Sequence, residues 1–312
     1  MKTAFIFPGQ GSQSVGMLKA ASEAWPVIEQ TFAEASNVLG YDLWDLCQNG
    51  PAEELSQTMV TQPALLTASI ALWRQWFIAG GPAPDYLAGH SLGEYSALVA
   101  AESLDFSDAI RLVRLRGELM QTAVPVGEGS MAAILGLEDD QVIAACEEAS
   151  QGDVVAAVNF NSPGQVVIAG NKAAVERAIA ACNDLGARKA MPLPVSVPSH
   201  CALMKGAAEE LAKALDEASF GNALTPVVQN VSAEVVQDAE QLKANLVQQL
   251  YSPVRWTDTI RLLAEENVTV AAECGAGKVL AGLVKRIDRS VTVYSLETTD
   301  GLENALEAFR KD

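Results

Sequence analysis

The sequence predicts an α/β protein in two parts: a larger α/β-hydrolase-like lobe, 1–124 and 198–312, and a smaller inserted β-α-β-β-α-β subdomain, 125–197. Three observations lead there. Short apolar runs end in glycine turns and pass into helical stretches, the pattern of a parallel sheet flanked by helices. The middle of the chain has a different order, in which two strands follow one another without a helix between them. Strand–helix units then resume after Pro198.

In order, 5–7 reads as a strand that ends at Pro8-Gly9-Gln10-Gly11-Ser12, and Met1 to Phe7 as the start of the fold rather than a leader, because one charge and an early proline leave no apolar signal core. Helices are expected at 25–39 and 56–78, the second with Pro63 near its start. A short strand at 86–87 runs into Gly89-His90-Ser91-Leu92-Gly93-Glu94. Helices follow at 97–101 and 106–122, the latter with Ser107 and Asp108 as cap candidates. The turn-rich Val124-Pro125-Val126-Gly127-Glu128-Gly129 opens the insert. Its strands are expected at 131–135, 154–159, 165–169 and 188–195, with helices at 139–150 and 172–185. This is the ferredoxin-like, or split βαβ, order. The second half of the larger lobe has helices at 209–219, 239–250, 257–266, 279–285 and from 302, with strands at 226–231, 268–273 and 291–295. Two halves around an insert imply two lobes with a cleft between them.

At 312 residues and 49% hydrophobic composition the chain can bury a substantial core. No apolar run approaches the ~18 residues that suggest a membrane span, so no membrane partner and a cytoplasmic location are expected. The five cysteines are odd in number and widely spaced, which suggests neither a disulfide framework nor a metal site. Twenty-one Lys and Arg against 39 Asp and Glu give a net charge of −18, the wrong sign for a nucleic-acid partner. Without coiled-coil heptads, a monomer is expected.

Gly89-His90-Ser91-Leu92-Gly93 fits G-x-S-x-G between a strand and a helix, the setting of a nucleophile elbow. Ser91 is the candidate nucleophile, and the Leu92 N–H, at the start of the next helix, is a natural donor to a developing oxyanion. A serine nucleophile needs a base. The chain has two histidines. His90 is adjacent on the turn, where neighbouring side chains diverge, and reads as a packing residue. His200, in Pro198-Ser199-His200-Cys201 where the insert returns to the larger lobe, is the candidate base. No acid stands in a convincing strand-end loop before it, so an ordinary esterase or lipase triad is not matched; a backbone carbonyl or an amide is left to orient His200.

Taken together, Pro8-Gly9-Gln10-Gly11-Ser12-Gln13, Gly89-His90-Ser91-Leu92-Gly93-Glu94, Val197-Pro198-Ser199-His200 and Gln249-Leu250-Tyr251-Ser252-Pro253-Val254 resemble the malonyl-CoA:acyl carrier protein transacylases of bacterial fatty acid synthesis. The acyltransferase domains of polyketide synthases belong to the same family. The resemblance covers essentially the whole chain. It implies that Ser91 takes malonyl from CoA as an ester, that His200 moves the proton, and that the phosphopantetheine thiol of acyl carrier protein collects the group in a ping-pong cycle. It implies an oxyanion hole from the N–H groups of Gln10 and Leu92, a Gln249 carbonyl that orients His200, and Arg116 on the malonyl carboxylate. By spacing alone Arg111, Arg114 and Arg116 are not separated, except that 111 and 114 share a face and 116 points elsewhere. A guanidinium suits the task, because it pairs with a carboxylate bidentately and is left unpaired by acetyl.

The resemblance also brings Asn161, in Asn161-Ser162-Pro163-Gly164, towards the substrate, although a tight hairpin accounts for it equally well. Lys278, Lys285, Arg286 and Arg289 cluster in an acidic protein, and the carrier is acidic, so they are a candidate docking face or an ordinary solvated helix face. Gly275-Ala276-Gly277 before a helix could approach a phosphate. No metal or organic cofactor is expected, because a thioester is already activated; malonyl-CoA and the carrier are substrates. Two other classes remain open: a thioesterase with water as acceptor, and a non-catalytic carrier-binding subunit. Within the transferases, methylmalonyl as acyl group, and a polyketide carrier or a malonate decarboxylase as destination, also remain open.

Overall fold

Phe5 and Phe7 lie on one face of the first strand and Ala4 and Ile6 on the other, and all four are fully buried. Both faces of such a strand must be covered, which is the condition of a central strand in a parallel sheet. The computed structural model describes residues 2–195 and 197–310. Its strands are β1 (Lys2–Phe7), β2 (Tyr86–Gly89), β3 (Gly129–Leu135), β4 (Val155–Ser162), β5 (Gln165–Asn171), β6 (Lys189–Pro192), β7 (Val227–Val228), β8 (Val235–Val236), β9 (Val268–Glu273) and β10 (Thr292–Ser295). Among the described residues they form a six-stranded sheet in the order β10-β9-β1-β2-β7-β8 and a four-stranded sheet in the order β4-β5-β3-β6. The larger sheet is parallel apart from β8, which turns back on β7. The smaller is antiparallel throughout.

The larger sheet divides the core of its part in two. On one side Phe5 and Phe7 pack with Trp76, Leu65, Leu72 and Phe309. On the other Ala4, Ile6 and Ala88 meet Trp256, Ile260 and Leu283. The helix Thr58–Ile78 runs through the first core and is apolar nearly all round, as a fully buried helix must be. Pro63 lies inside it. In the smaller part Ala132 and Ile134 face the helices Asp139–Ser150 and Lys172–Asp184, while Met131, on the opposite face of β3, packs with Val158, Val167 and Cys201. The smaller sheet meets the larger part at the start of the helix Trp256–Glu265, where Phe160 N donates to Val254 O at 3.0 Å and Thr257 Oγ1 to Phe160 O at 3.0 Å.

Several expectations are corrected. The helix Phe106–Thr122 is capped by Asp105, whose carboxylate accepts from Ser107 N and Asp108 N, because it is Asp105 that keeps the extended backbone before the first turn. The strand expected at 188–195 ends at Pro192. That expected at 226–231 is only Val227–Val228, because Gln229 and Asn230 turn into the interior and are fully buried. The helices Leu43–Asn49 and Ala52–Leu55 had no strong periodicity to announce them. Met1, Ser196, Lys311 and Asp312 lie outside the described residues, and with them those points of the expected boundaries 1–124, 125–197 and 198–312. No described helix is long and apolar enough to cross a membrane. The five cysteines are buried free thiols, and no described group of His, Cys, Asp and Glu could hold a metal ion.

Candidate active site

Two glycines build the turn after β2 by steric necessity. A Cβ on Gly89 would stand 1.9 Å from the Gly93 carbonyl carbon, and one on Gly93 would stand 2.0 Å from Phe7 O. The helix Gly93–Ala100 therefore starts hard against its own strand and against β1. Between them Ser91 has φ 51°. A non-glycine residue held there costs about 1–3 kcal/mol, so the surroundings must hold it. Gly9 closes the site from the other side, since its Cβ would meet His90 O at 2.4 Å. That contact brings Gln10 alongside the elbow. Among the described residues neither Gln10 N nor Leu92 N donates to a protein acceptor.

Ser91 Oγ lies 2.7 Å from His200 Nε2, and His200 Nδ1 lies 2.7 Å from the Gln249 carbonyl oxygen. A carbonyl only accepts, so Nδ1 carries the proton and Nε2 presents its lone pair to the serine hydroxyl. His200 is 3% exposed. Burial, and next the positive charge of Arg116, push its pKa down to about 3. The imidazole is neutral at neutral pH and able to accept a proton.

Arg116 is 1% exposed. Its Nη1 donates to Gln62 Oε1 at 2.9 Å, and its Nη2 to Gln249 Oε1 at 2.9 Å and Ser91 Oγ at 3.3 Å. Gly117 makes this possible: a Cβ there would stand 2.5 Å from Met59 Cα, so only glycine lets the two helices approach closely enough for Arg116 to reach Gln62. Its helix neighbours do otherwise. Arg111 pairs with Asp108 and Arg114 with Glu118 near the surface. Both partners that bracket the Arg116 guanidinium are neutral amides. The nearby Glu94 carboxyl is fully buried, and burial pushes its pKa up to about 8, so at neutral pH it is protonated and does not cancel the charge. A buried cation without an anionic partner is costly unless a ligand supplies one.

Glu94, Asn230 and Gln62 escaped sequence reasoning, and Gln249 does more than the sequence leads one to expect of it. Gln249 donates from Nε2 to Ser91 O at 3.0 Å in addition to its carbonyl contact. Asn230 bonds both Ser91 N and Gly89 O. Gln62 is one of two amides, with Gln75, buried on a largely apolar helix, and nothing local sets it apart. Asn161 belongs to β4 rather than to a loop, at an irregularity in that strand, and its Oδ1 accepts from His90 Nε2 at 2.7 Å. It therefore holds His90, which also packs edge-on against Trp256.

The glycine turn after β9 does not offer its helix to a phosphate. The buried Glu273 carboxylate accepts from Leu280 N at 2.9 Å and Ala281 N at 2.8 Å and fills the start of the helix Val279–Ile287. Lys278, Lys285, Arg286 and Arg289 are exposed along that helix and its ends. Arg286 reaches Gln165 Oε1 at 2.6 Å.

Comparison with known proteins gives a consistent picture. The acyl transferase domain family matches residues 4–300. The malonyl CoA-acyl carrier protein transacylase of Escherichia coli K12 is 57% identical over 304 residues, 97% of this chain and 98% of that protein. The enzyme of the same name from Bacillus subtilis is 46% identical over 312 residues, 100% and 98% of the two chains. A malonyl-transacylase solved in complex with a type II polyketide synthase acyl carrier protein is 56% identical with a TM-score of 0.97, covering 99% of this chain and all of that one. The acyl carrier protein S-malonyltransferase of Vibrio cholerae is 56% identical with a TM-score of 0.95, covering 97% and 99%.

Proposed function

Because the chain belongs to the acyl transferase family, we propose that Ser91, His200 and Arg116 carry out its reaction, the transfer of malonyl from CoA to the phosphopantetheine thiol of acyl carrier protein in fatty acid biosynthesis. The observation that carries the reading is the Arg116 guanidinium, buried among neutral amides and 3.3 Å from the oxygen of Ser91. A charge kept there suits an acyl group that ends in a carboxylate.

Ser91 Oγ attacks the thioester carbonyl as His200 Nε2 takes its proton. The Leu92 and Gln10 N–H groups receive the oxyanion. Collapse breaks the C–S bond, His200 returns the proton to the CoA sulfur, and malonyl remains on Ser91 as an ester. The carrier thiol then gives its proton to His200 and attacks the ester carbonyl; Ser91 leaves and recovers the proton. The malonyl carboxylate pairs with Arg116, which also draws the guanidinium from the serine oxygen and relieves the charge that weakens His200 as a base. An acetyl group supplies no such partner. The Gln249 carbonyl orients His200, and Asn161 acts through His90. Thioesters are activated enough that no metal or organic cofactor takes part.

The four-stranded unit, read as a ferredoxin-like subdomain over 125–197, is supported by its strand order and its two helices on one face. The hydrolase-like description of the rest is supported by the strand–elbow–helix around Ser91. Lys278, Lys285, Arg286 and Arg289 are read as the docking face for the acidic carrier, supported by their exposure along the helix Val279–Ile287 and just beyond its ends.

Intact mass after incubation with malonyl-CoA, and separately with acetyl-CoA, tests the reading. A malonyl adduct that is weak with acetyl-CoA and absent from Ser91→Ala supports it. Equal adducts from both thioesters would remove the role of Arg116, and free acid without an adduct would favour a hydrolase.

A further inference from the structure

Behind the elbow lies one side chain whose bonds the transfer steps leave unused. Asn230 follows β7, the neighbour of β2 in the sheet, and is fully buried. Its Oδ1 accepts from Ser91 N at 2.7 Å and its Nδ2 donates to Gly89 O at 2.6 Å. Its own backbone N–H donates to Glu94 Oε2 at 2.7 Å. One amide thus grips the peptide groups on both sides of His90, across the segment where the backbone changes from strand to left-handed turn. Gln249 also holds the elbow, through Ser91 O, but is shared with Arg116 and His200. The Asn230 side chain bonds only to the turn, apart from a long 3.5 Å approach by Gln249 Nε2, while its backbone N–H bonds Glu94 and its carbonyl accepts from Arg255 N at 3.1 Å.

We propose that Asn230 is the positioning residue of the nucleophile: its amide holds Ser91 at positive φ and keeps Oγ directed at His200 Nε2, while the buried Glu94 carboxyl fixes the backbone of Asn230. The inference rests on Ser91 as nucleophile. It has a specific chemical requirement. The two peptide groups need one acceptor and one donor, side by side and uncharged, which an amide supplies. An ionised aspartate supplies the acceptor but sets a negative oxygen against Gly89 O. A protonated aspartate supplies both again, with its hydroxyl donating to Gly89 O.

The test compares the parent full-length protein with Asn230→Ala, Asn230→Asp and Ser91→Ala. Two rates are read, malonyl-enzyme formation from malonyl-CoA and phosphonylation of Ser91 by a small alkyl fluorophosphonate, together with the Tm. Asn230→Ala is expected to lower both rates by about 10²-fold, the usual cost of a misplaced reacting group, with the KM for malonyl-CoA little changed. Asn230→Asp is expected to regain rate as pH falls from 8 to 5, while the parent does not. A merely structural residue would lower the Tm without giving the aspartate variant a pH profile of its own. Alanine rates within threefold of the parent, or an aspartate variant with the parent's pH profile, would overturn the proposal. An unlabelled Ser91 in the parent would overturn the nucleophile reading and this inference with it; a labelled Ser91 with unaffected variants would overturn the inference alone.

Discussion

Two strand-to-helix junctions flank β1, and both are rich in glycine. The one after β2 holds Ser91; the one after β9 holds Gly275-Ala276-Gly277. They share a topology and differ in what meets the first N–H groups of the helix. After β9 the chain supplies its own carboxylate, Glu273, which bonds two of them. After β2 the first-turn carboxyl, Glu94, is directed away to Asn230 N, and the Leu92 N–H is left without a protein acceptor among the described residues. A helix N-terminus favours an anion wherever it occurs. It serves as a site only where the chain has not already answered it. The glycines of the first junction permit close packing; those of the second lead into a plugged helix whose outer face carries Lys285 and Arg286.

The comparison can be broken most severely at Arg116. Arg116→Ala should lower kcat/KM for malonyl-CoA by about 10²-fold or more, the scale of removing one partner of a buried charge pair, and leave acetyl-CoA far less affected. A parallel fall with both thioesters, measured by single-turnover loading, would contradict the assignment.

The second junction should respond in stability rather than in rate. Glu273→Ala leaves one buried and one part-buried N–H group without this partner and should cost about 1–3 kcal/mol by denaturant unfolding, with the malonyl loading rate unchanged. If loading falls instead, the two junctions are not separable.

Glu94 gives a pH signature. Its folded pKa of about 8 lies above the ordinary 4.5. The unfolded chain therefore loses this proton between 4.5 and 8 while the fold keeps it, and stability from this group is lost as pH rises through that window. Glu94→Gln keeps the acceptor for Asn230 N and cannot ionise, so its Tm should gain on the parent's from pH 5 to pH 8. His200 acts in the other direction. Its pKa of about 3 lies below the ordinary 6.5, so the unfolded chain takes up a proton first and stability falls as pH drops below 6.5. For the same reason kcat/KM for loading should show no fall near pH 6.5, since it reports the base of the free enzyme.

The smallest effect belongs to the exposed face. Reversing Lys285 and Arg286 to Glu should raise the KM for the carrier a few-fold, because each exposed charge contributes only about 0.2–1 kcal/mol, and the effect should shrink with salt. Loading from CoA should not change. A carrier KM equal to the parent's would remove this face from docking.

Much of this was legible in sequence because it depends on local rules. The strand, the G-x-S-x-G turn and the following helix are adjacent, and Gly89 is required by a contact within that unit, while Gly93 is required by Phe7 O on β1. His200 stood out because the alternative, His90, shares the turn with Ser91. The order of the four-stranded unit followed from two strands joined by Pro163-Gly164. The buried amides were not legible, because their meaning is set by distant partners. Gln229 and Asn230 continue what reads as a strand, and nothing local shows that they turn inward to the elbow. Glu94 reads as an ordinary acidic residue in a first helical turn, and its burial comes from the packing of β1, β2 and the helix. The separation of Arg116 from Arg111 and Arg114 had a local signal in Gly117, whose importance depends on a helix 58 positions earlier, at Met59.

The central claim is that malonyl rests on Ser91 between donor and acceptor. The most direct measurement isolates the protein after incubation with radiolabelled malonyl-CoA, removes all CoA, identifies the labelled peptide, and then adds acyl carrier protein bearing its thiol arm. The account predicts label on the peptide containing Ser91 and its passage to the carrier thiol in a single turnover. Label on another residue, or passage to the carrier only while malonyl-CoA is still present, would contradict it.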